Sequence, residues 1–305
     1  MDQAQLYTFR TINHSLTSKV ARLLCYALWK PLLITAIALF LFFCLTSHKL
    51  YAAEPIKTLI IVPEASGPAK KIYDQVVSGV TSNTALDPEI IQINSESNDD
   101  WLFSQINKHK PELIIPIGNK SYKRCHSIYQ HPKWTNDIKI VAGGISGKPN
   151  GIPTLSLTGS PLTTINHIKE LVPDVQDIRL VYSDDLNGWW YNQAVELAAS
   201  TGITIQGYRA DNLQHGVKLY KTLIKEANKK TTAIWIPLKG IIPSKTILPL
   251  VLEKAWAKKL PVISNNPSHT RLGGLMALYP HHFAMGQQLA EFAINHYSHG
   301  KAKKI

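Results

Sequence analysis

Residues 112–117, ELIIPI, form a short apolar run stopped upstream by Pro111 and followed at once by Gly118 and Asn119. A run this short, rich in isoleucine and without polar alternation, reads as a strand buried on both faces, and such strands belong to parallel sheets covered by helices. The neighbouring stretches repeat the theme. Strand-like runs occur at 56–62 (IKTLIIV), 89–93 and 138–142 (IKIVA), with helical patterns at 68–80, 99–108 and 120–129 between them. The 99–108 pattern has Asn98 as a cap, Asp99 and Asp100 in its first turn, and Lys108 and Lys110 at its end. That order suits the helix dipole.

A loop of glycine and proline at 143–153 breaks the rhythm, and 154–158 reads as a strand leading out of it. Ser160-Pro161 opens a helix that ends before Pro173. The alternation then restarts, with strands at 177–182, 203–208, 233–236, 261–264 and 275–279. Helices are expected at 188–200, 213–228, 244–258 and 282–297. Alternation of this kind predicts an α/β protein of two Rossmann-like lobes with parallel sheets. The expected division is 1–53 as a leader, 54–157 as an N-terminal lobe and 158–305 as a C-terminal lobe.

The leader is a hydrophobic helix in this reading. Residues 31–47, PLLITAIALFLFFCLTS, carry no charge, and Lys30 precedes them. That run is between the lengths of a signal h-region and a full membrane span. Small residues at Ala52 and Ala53 resemble a signal-peptidase site, whereas the long basic segment upstream fits an uncleaved inner-membrane anchor. Both readings export the body to the periplasm.

The 305 residues hold 33 basic and 21 acidic side chains, a formal charge of +12. Five leader bases against Asp2 account for +4, leaving a body of +8 whose lysines gather at helix ends. The dipole explains that placement without nucleic acid. The cysteines are Cys25, Cys44 and Cys125. Only one falls in the body, so neither an internal disulfide nor a cysteine zinc site is expected.

Catalytic patterns fail one by one. Residues 142–149, AGGISGKP, have alanine for the first glycine of a phosphate loop and Pro149 for its hydroxyl residue. Lys148 also stands where a nucleophile elbow needs glycine. No dinucleotide fingerprint follows a strand; His281 and His282, as neighbours, do not share a helix face, His299 of the pair 296/299 lies at a frayed end beside Gly300, and no carboxylate has the H-E-x-x-H spacing. The expectation is a binding protein, with no catalytic residue, metal or cofactor.

Several stretches stand in the order seen in one known family: 112–121 (ELIIPIGNKS), 171–182 (LVPDVQDIRLVY), 233–237 (AIWIP), 260–264 (LPVIS) and 273–286 (GGLMALYPHHFAMG). In these the chain resembles the ABC-transporter substrate-binding proteins of the type I periplasmic-binding fold that include tryptophan- and tyrosine-type binders. The resemblance implies a small-molecule ligand, an amino acid or small organic anion, held between the lobes of a monomer. It implies an ABC permease as partner, or a membrane sensor protein if the leader is retained.

Ligands of open α/β sheets bind beyond the carboxyl ends of the strands. The candidates by position are therefore Glu64, Ser66, Asn119, Ser121 and Ser146 in the first lobe, with Asp184, Asn187, Trp189, Lys239 and Asn265 in the second. Asn119 is expected to cap the helix after its strand. Lys239 stands where the family often has an acid that meets a ligand amino group, which favours an anion. The family's C-terminal stretch returning to the first lobe is expected to be largely absent.

Overall fold

The computed structural model describes residues 54–134, 137–243 and 245–302. The leader expectation for 1–53 lies outside them. Among the described residues no helix is long and apolar enough to cross a membrane. Residues Pro55–Ile305 form one compact unit.

Its first half carries a parallel sheet of β1 (Ile56–Pro63), β2 (Leu86–Ile93), β3 (Leu113–Pro116) and β4 (Lys139–Ile140), in the order β2-β1-β3-β4. A bridge from Ile117 to Gly143 extends it to β5 (Ala142–Ile145), which pairs with β6 (Thr154–Ser156). The helices are α1 (Gly67–Thr81), α2 (Asp99–His109) and α3 (Gly118–Tyr129). Pro88 within β2 is tolerated because that strand is an edge.

The strand expected at 138–142 is broken in two and runs on to Ile145. The register shifts between Gly143 and Ile145, and Gly144 takes φ +64°. A Cβ on Gly143 would lie 2.2 Å from the Leu289 side chain. The glycine pair therefore bends the strand and admits a side chain from the end of the molecule.

The second half repeats the topology. Its strands are β7 (Asp177–Tyr182), β8 (Thr204–Arg209), β9 (Thr232–Ile236), β10 (Val262–Ser264) and β11 (Met276–Ala277), in the order β11-β10-β9-β7-β8. All of its pairs are parallel. Both sheets thus place their second strand beside the first and their third on the first strand's other side. The helices are α4 (Pro161–Leu171), α5 (Trp189–Ala198), α6 (Leu213–Glu226) and α7 (Leu248–Ala257). A π turn, Asp184–Gly188, precedes α5, and a 3-10 turn, Pro267–Leu272, follows β10. The helix expected from 244 starts only at Leu248, after Pro243 and turns.

Each sheet is sandwiched between two apolar layers. In the second lobe α6 and α7 cover one face and α4 and α5 the other, where Trp190 meets Trp235 edge-on with centroids 4.4 Å apart. In the first lobe α2 and α3 cover one face. The opposite layer joins α1 to α8 (His282–Ala302), through buried Leu289, Ala290, Ala293 and Tyr297.

That packing departs from the expectation that 158–305 makes the second lobe and that the chain does not return. The last helix goes back to the first lobe. A Cβ on Gly286 would lie 2.1 Å from the Val76 carbonyl oxygen, and one on Gly79 equally close to that of Phe283. The two helices cross almost backbone to backbone there. Farther along, the Tyr297 hydroxyl donates to Glu112 Oε1 at 2.6 Å. The sequence announces a helix there but not which sheet receives it.

Candidate functional site

The chain crosses between the lobes at residues 157–160, from β6 to α4, and at 278–281, from β11 to α8. Each crossing leaves the carboxyl end of a strand and enters the start of a helix. In parallel α/β units the helix starts lie on the same side as the strand carboxyl ends. Both links, of four residues each, therefore lie on the carboxyl side of the sheets. Thr158, Ser160, Thr164, Asn265, Leu278 and Tyr279 line a cavity of about 250 Å³ shared by the two links. Gly159 has φ +71° and free space where a side chain would stand, so the first link can turn.

On the first edge, Glu64 and Ser66 follow β1 and are exposed. Ser66 occupies the cap position of α1 but makes no side-chain capping bond. The amide groups of that helix start are therefore open to an outside acceptor. Glu64, Lys70, Tyr73, Asp74, Ile90 and Gln92 border a groove of about 500 Å³, in which Lys70 pairs with Asp74 at 2.7 Å.

Asn119 differs from its expected role. The cap of α3 is Ile117, and the Asn119 side chain turns to Ser146. Its Nδ2 donates to Ser146 Oγ at 3.0 Å, and its Oδ1 accepts from the Ser146 amide at 3.2 Å. The structure thus brings two candidates together as a reciprocal pair. Tyr122 reinforces it, donating to the Asn150 carbonyl at 2.9 Å and accepting from the Asn150 amide at 2.7 Å. These bonds fasten the 146–150 loop to α3. Ser121 lies fully buried on the sheet side of α3, and its hydroxyl has no partner among the described residues.

On the second edge, Asp184 accepts from Arg209 Nε at 2.5 Å, and Arg209 also reaches Asp211 at 3.2 Å. The Asp184 bond holds the guanidinium pKa above its ordinary value. Asn187 is buried and bridges two loops. Its Oδ1 accepts from the Ser183 amide, and its Nδ2 donates to the Lys239 carbonyl at 3.2 Å. Trp189 packs against the core layer of α4 and α5, and its Nε1 is buried without a partner among the described residues. Asn265 accepts from Trp235 Nε1 at 2.8 Å and donates to the Leu278 carbonyl at 3.1 Å. It thereby braces the second link from below.

Two charged side chains among the candidates stand apart from these internal networks. Glu64 and Lys239 enter no ion pair among the described residues, one on each edge. Tyr73 joins them as a residue the sequence reading missed. A Cβ on Gly118, itself at φ +83°, would fall 2.8 Å from the Tyr73 hydroxyl, so that hydroxyl sits over the start of α3. Burial raises its pKa. Glycine after a strand signals a close approach, but not the group that approaches.

Among the described residues no cluster of histidine, cysteine, aspartate and glutamate has the form of a metal site. The free Cys125 is buried, and burial pushes its thiol pKa far up. Its environment is that of an apolar filler.

Twin parallel sheets of matching strand order, joined by two links, have the architecture of the type I periplasmic-binding fold. The sequence profile of the ABC transporter substrate binding protein family matches residues 70–301, and the chain belongs to that family. No curated protein sequence matches it significantly.

Solved structures share the fold at low identity. The ligand-free, open structure of a substrate-binding protein with adhesive properties from Clostridium difficile is 17% identical at TM-score 0.54, over 79% of this chain and 84% of that one. A periplasmic ribose ABC transporter protein from Conexibacter woesei is 14% identical at TM-score 0.50, over 79% and 86%. An ABC domain from Streptococcus pneumonia in complex with L-Trp is 16% identical at TM-score 0.48, over 80% and 84%.

Proposed function

We propose that the chain is an exported solute receptor that captures an amino acid or small organic anion between its lobes and delivers it to an ABC permease. The observation that carries this reading is that Glu64 and Lys239, one on the carboxyl edge of each sheet, enter no ion pair among the described residues. A carboxylate on the solute is met by Lys239 and by the open amides at the start of α1. An ammonium group, when the solute has one, is met by Glu64. Binding draws the edges together about the two links, which is hinge closure. Asn119, Ser146, Asn187 and Asn265 then act as the frame that holds the edge loops, while Glu64, Ser66, Tyr73 and Lys239 face the solute.

Native mass spectrometry of the Pro55–Ile305 body tests this, against mixtures of amino acids, carboxylates, sugars and purines. A one-to-one adduct drawn from the acids, and weakened at least tenfold by Lys239→Glu, is the expected result. An adduct indifferent to Lys239→Glu, Glu64→Gln and Tyr73→Phe alike places the solute elsewhere and ends the proposal.

A further inference from the structure

The opposite end of the second lobe has a different character. Helices of this sheet run from its carboxyl edge to its amino edge, so α6 and α7 end together there. Lys258 Nζ ties them, donating to the carbonyls of Ile224 at 2.8 Å and Lys225 at 2.6 Å. That lysine is accounted for by helix-end chemistry. Lys221, Lys225, Lys229, Lys230, Lys254 and Lys259 make no such bond: all are exposed, and none enters an ion pair among the described residues, so their charges are open to an outside partner. Of the acids on these two helices, Glu226 is engaged by the Tyr208 hydroxyl at 2.9 Å and faces Arg179. Glu253 is the other.

Beside this cluster stands an apolar knob. Trp256 is 66% exposed, an unusual state for the largest side chain. Its indole N–H donates to the Gly273 carbonyl at 2.7 Å, which fixes the ring over the segment leading into β11. Leu272 and Leu275 on that segment are 46% and 55% exposed, and Arg271 is exposed next to them. The Lys259 amide donates to the Trp256 carbonyl at 2.8 Å, so knob and cluster are contiguous.

The indole's one donor is already satisfied within the fold. What remains on offer is an apolar ring, with two leucines, inside a rim of flexible cations. That combination suits the interface of a bilayer, where aromatic rings sit at headgroup level and lysines reach phosphates.

We propose that the amino-edge end of the second lobe docks on a membrane surface of anionic phospholipid, with Trp256 seated among the headgroups. The solute edge lies at the other end of the same strands and stays open while the protein is docked.

The full chain is tested on vesicles of phosphatidylcholine alone and of phosphatidylcholine mixed with phosphatidylglycerol. The ratio of the two partition coefficients cancels any charge-independent binding by the rest of the chain. It is expected to favour the anionic vesicles and to fall with added salt. Replacing Lys225, Lys229, Lys230 and Lys259 by glutamine lowers the ratio by roughly fivefold per lysine. A charge-matched control, with Lys57, Lys108, Lys120 and Lys123 changed to glutamine, keeps it within about twofold of the unaltered chain. In a Trp29→Phe background, which removes the indole beside the apolar leader run, brominated lipid quenches part of the tryptophan emission, and Trp256→Phe abolishes that part. A ratio unchanged by the first set, or lowered equally by the control, overturns the proposal. So does quenching that persists in Trp256→Phe.

Discussion

The two lobes share one strand order, yet they are completed differently. The second lobe fills both faces of its sheet with helices from the same stretch of chain, α4 to α7. The first lobe supplies only α1, α2 and α3 locally and waits for α8, which arrives after the whole second lobe has been made. Its layer around Leu289 and Tyr297 is therefore closed by contacts of long sequence separation. The lesson is that the same topology can be locally self-sufficient or dependent on the far end of the chain. The dependence comes with the second link, which leads directly into α8.

The sharpest way to break this contrast is at the crossing of α1 and α8. Gly286→Leu drives a side chain into the Val76 carbonyl, and overpacking there is expected to cost about 3 kcal/mol in urea unfolding. Hydrogen exchange should show the loss in β1 and β3 while β9 remains protected. Equal loss in both lobes would deny the first lobe its separate dependence.

Trp235→Phe probes the second lobe in the same terms. It empties part of the Trp190 contact and leaves buried Asn265 Oδ1 without its donor, for an expected loss of about 2 kcal/mol. The extra exchange should appear in β9 and β10. Asn119→Ala removes the reciprocal bond to Ser146 on the first edge. It is expected to cost about 1 kcal/mol and to speed amide exchange at Ser146.

Acid should weaken both lobes. Burial lowers the pKa of His269 in the second lobe and of His282 and His296 on α8 below the ordinary 6.5. Above about 6.5 neither state binds these protons, and the stability is whole. As pH falls below that value the unfolded chain takes them up first, so stability declines through the lower folded pKa values. His269→Gln should flatten the part of the decline seen in the second lobe. At the bottom of the scale, Arg209→Gln removes an exposed pairing with Asp184 and should leave the unfolding midpoint unchanged within error.

Much of the fold was legible because its strands are short, apolar and β-branched, and because proline and glycine punctuate them. The repeat of strand and helix at 56–129 and again from 177 is a local signal, and local signals survive in sequence. The destination of α8 is not local. Residues 282–297 read as a helix, but the choice between two sheets rests on a backbone contact between Gly79 and Gly286, some two hundred residues apart.

The site was half legible for a similar reason. Position after a strand located Glu64, Asn119, Asp184 and Lys239 along the edges. It could not tell which polar side chains were already answered from within. Asn119 is answered by Ser146, Asp184 by Arg209, and Asn265 by Trp235, each across many residues. Trp189, placed in a first turn off the stripe of Trp190, leans on the core layer instead. Tyr73 escaped notice because nothing in α1 shows that its hydroxyl overhangs the start of α3.

In the proposed function the carboxyl edges of the two lobes close on a small solute. A thermal-shift screen of the Pro55–Ile305 body with amino acids, carboxylates, sugars and purines tests it most directly. A ligand at about a hundred times its Kd adds ~2.7 kcal/mol, which for a body of this size raises Tm by about 5 to 10 °C. Such a rise is expected with one or more amino acids or small carboxylates, and it should be lost in Lys239→Glu. A well-folded protein whose Tm does not move with any of these classes would contradict it.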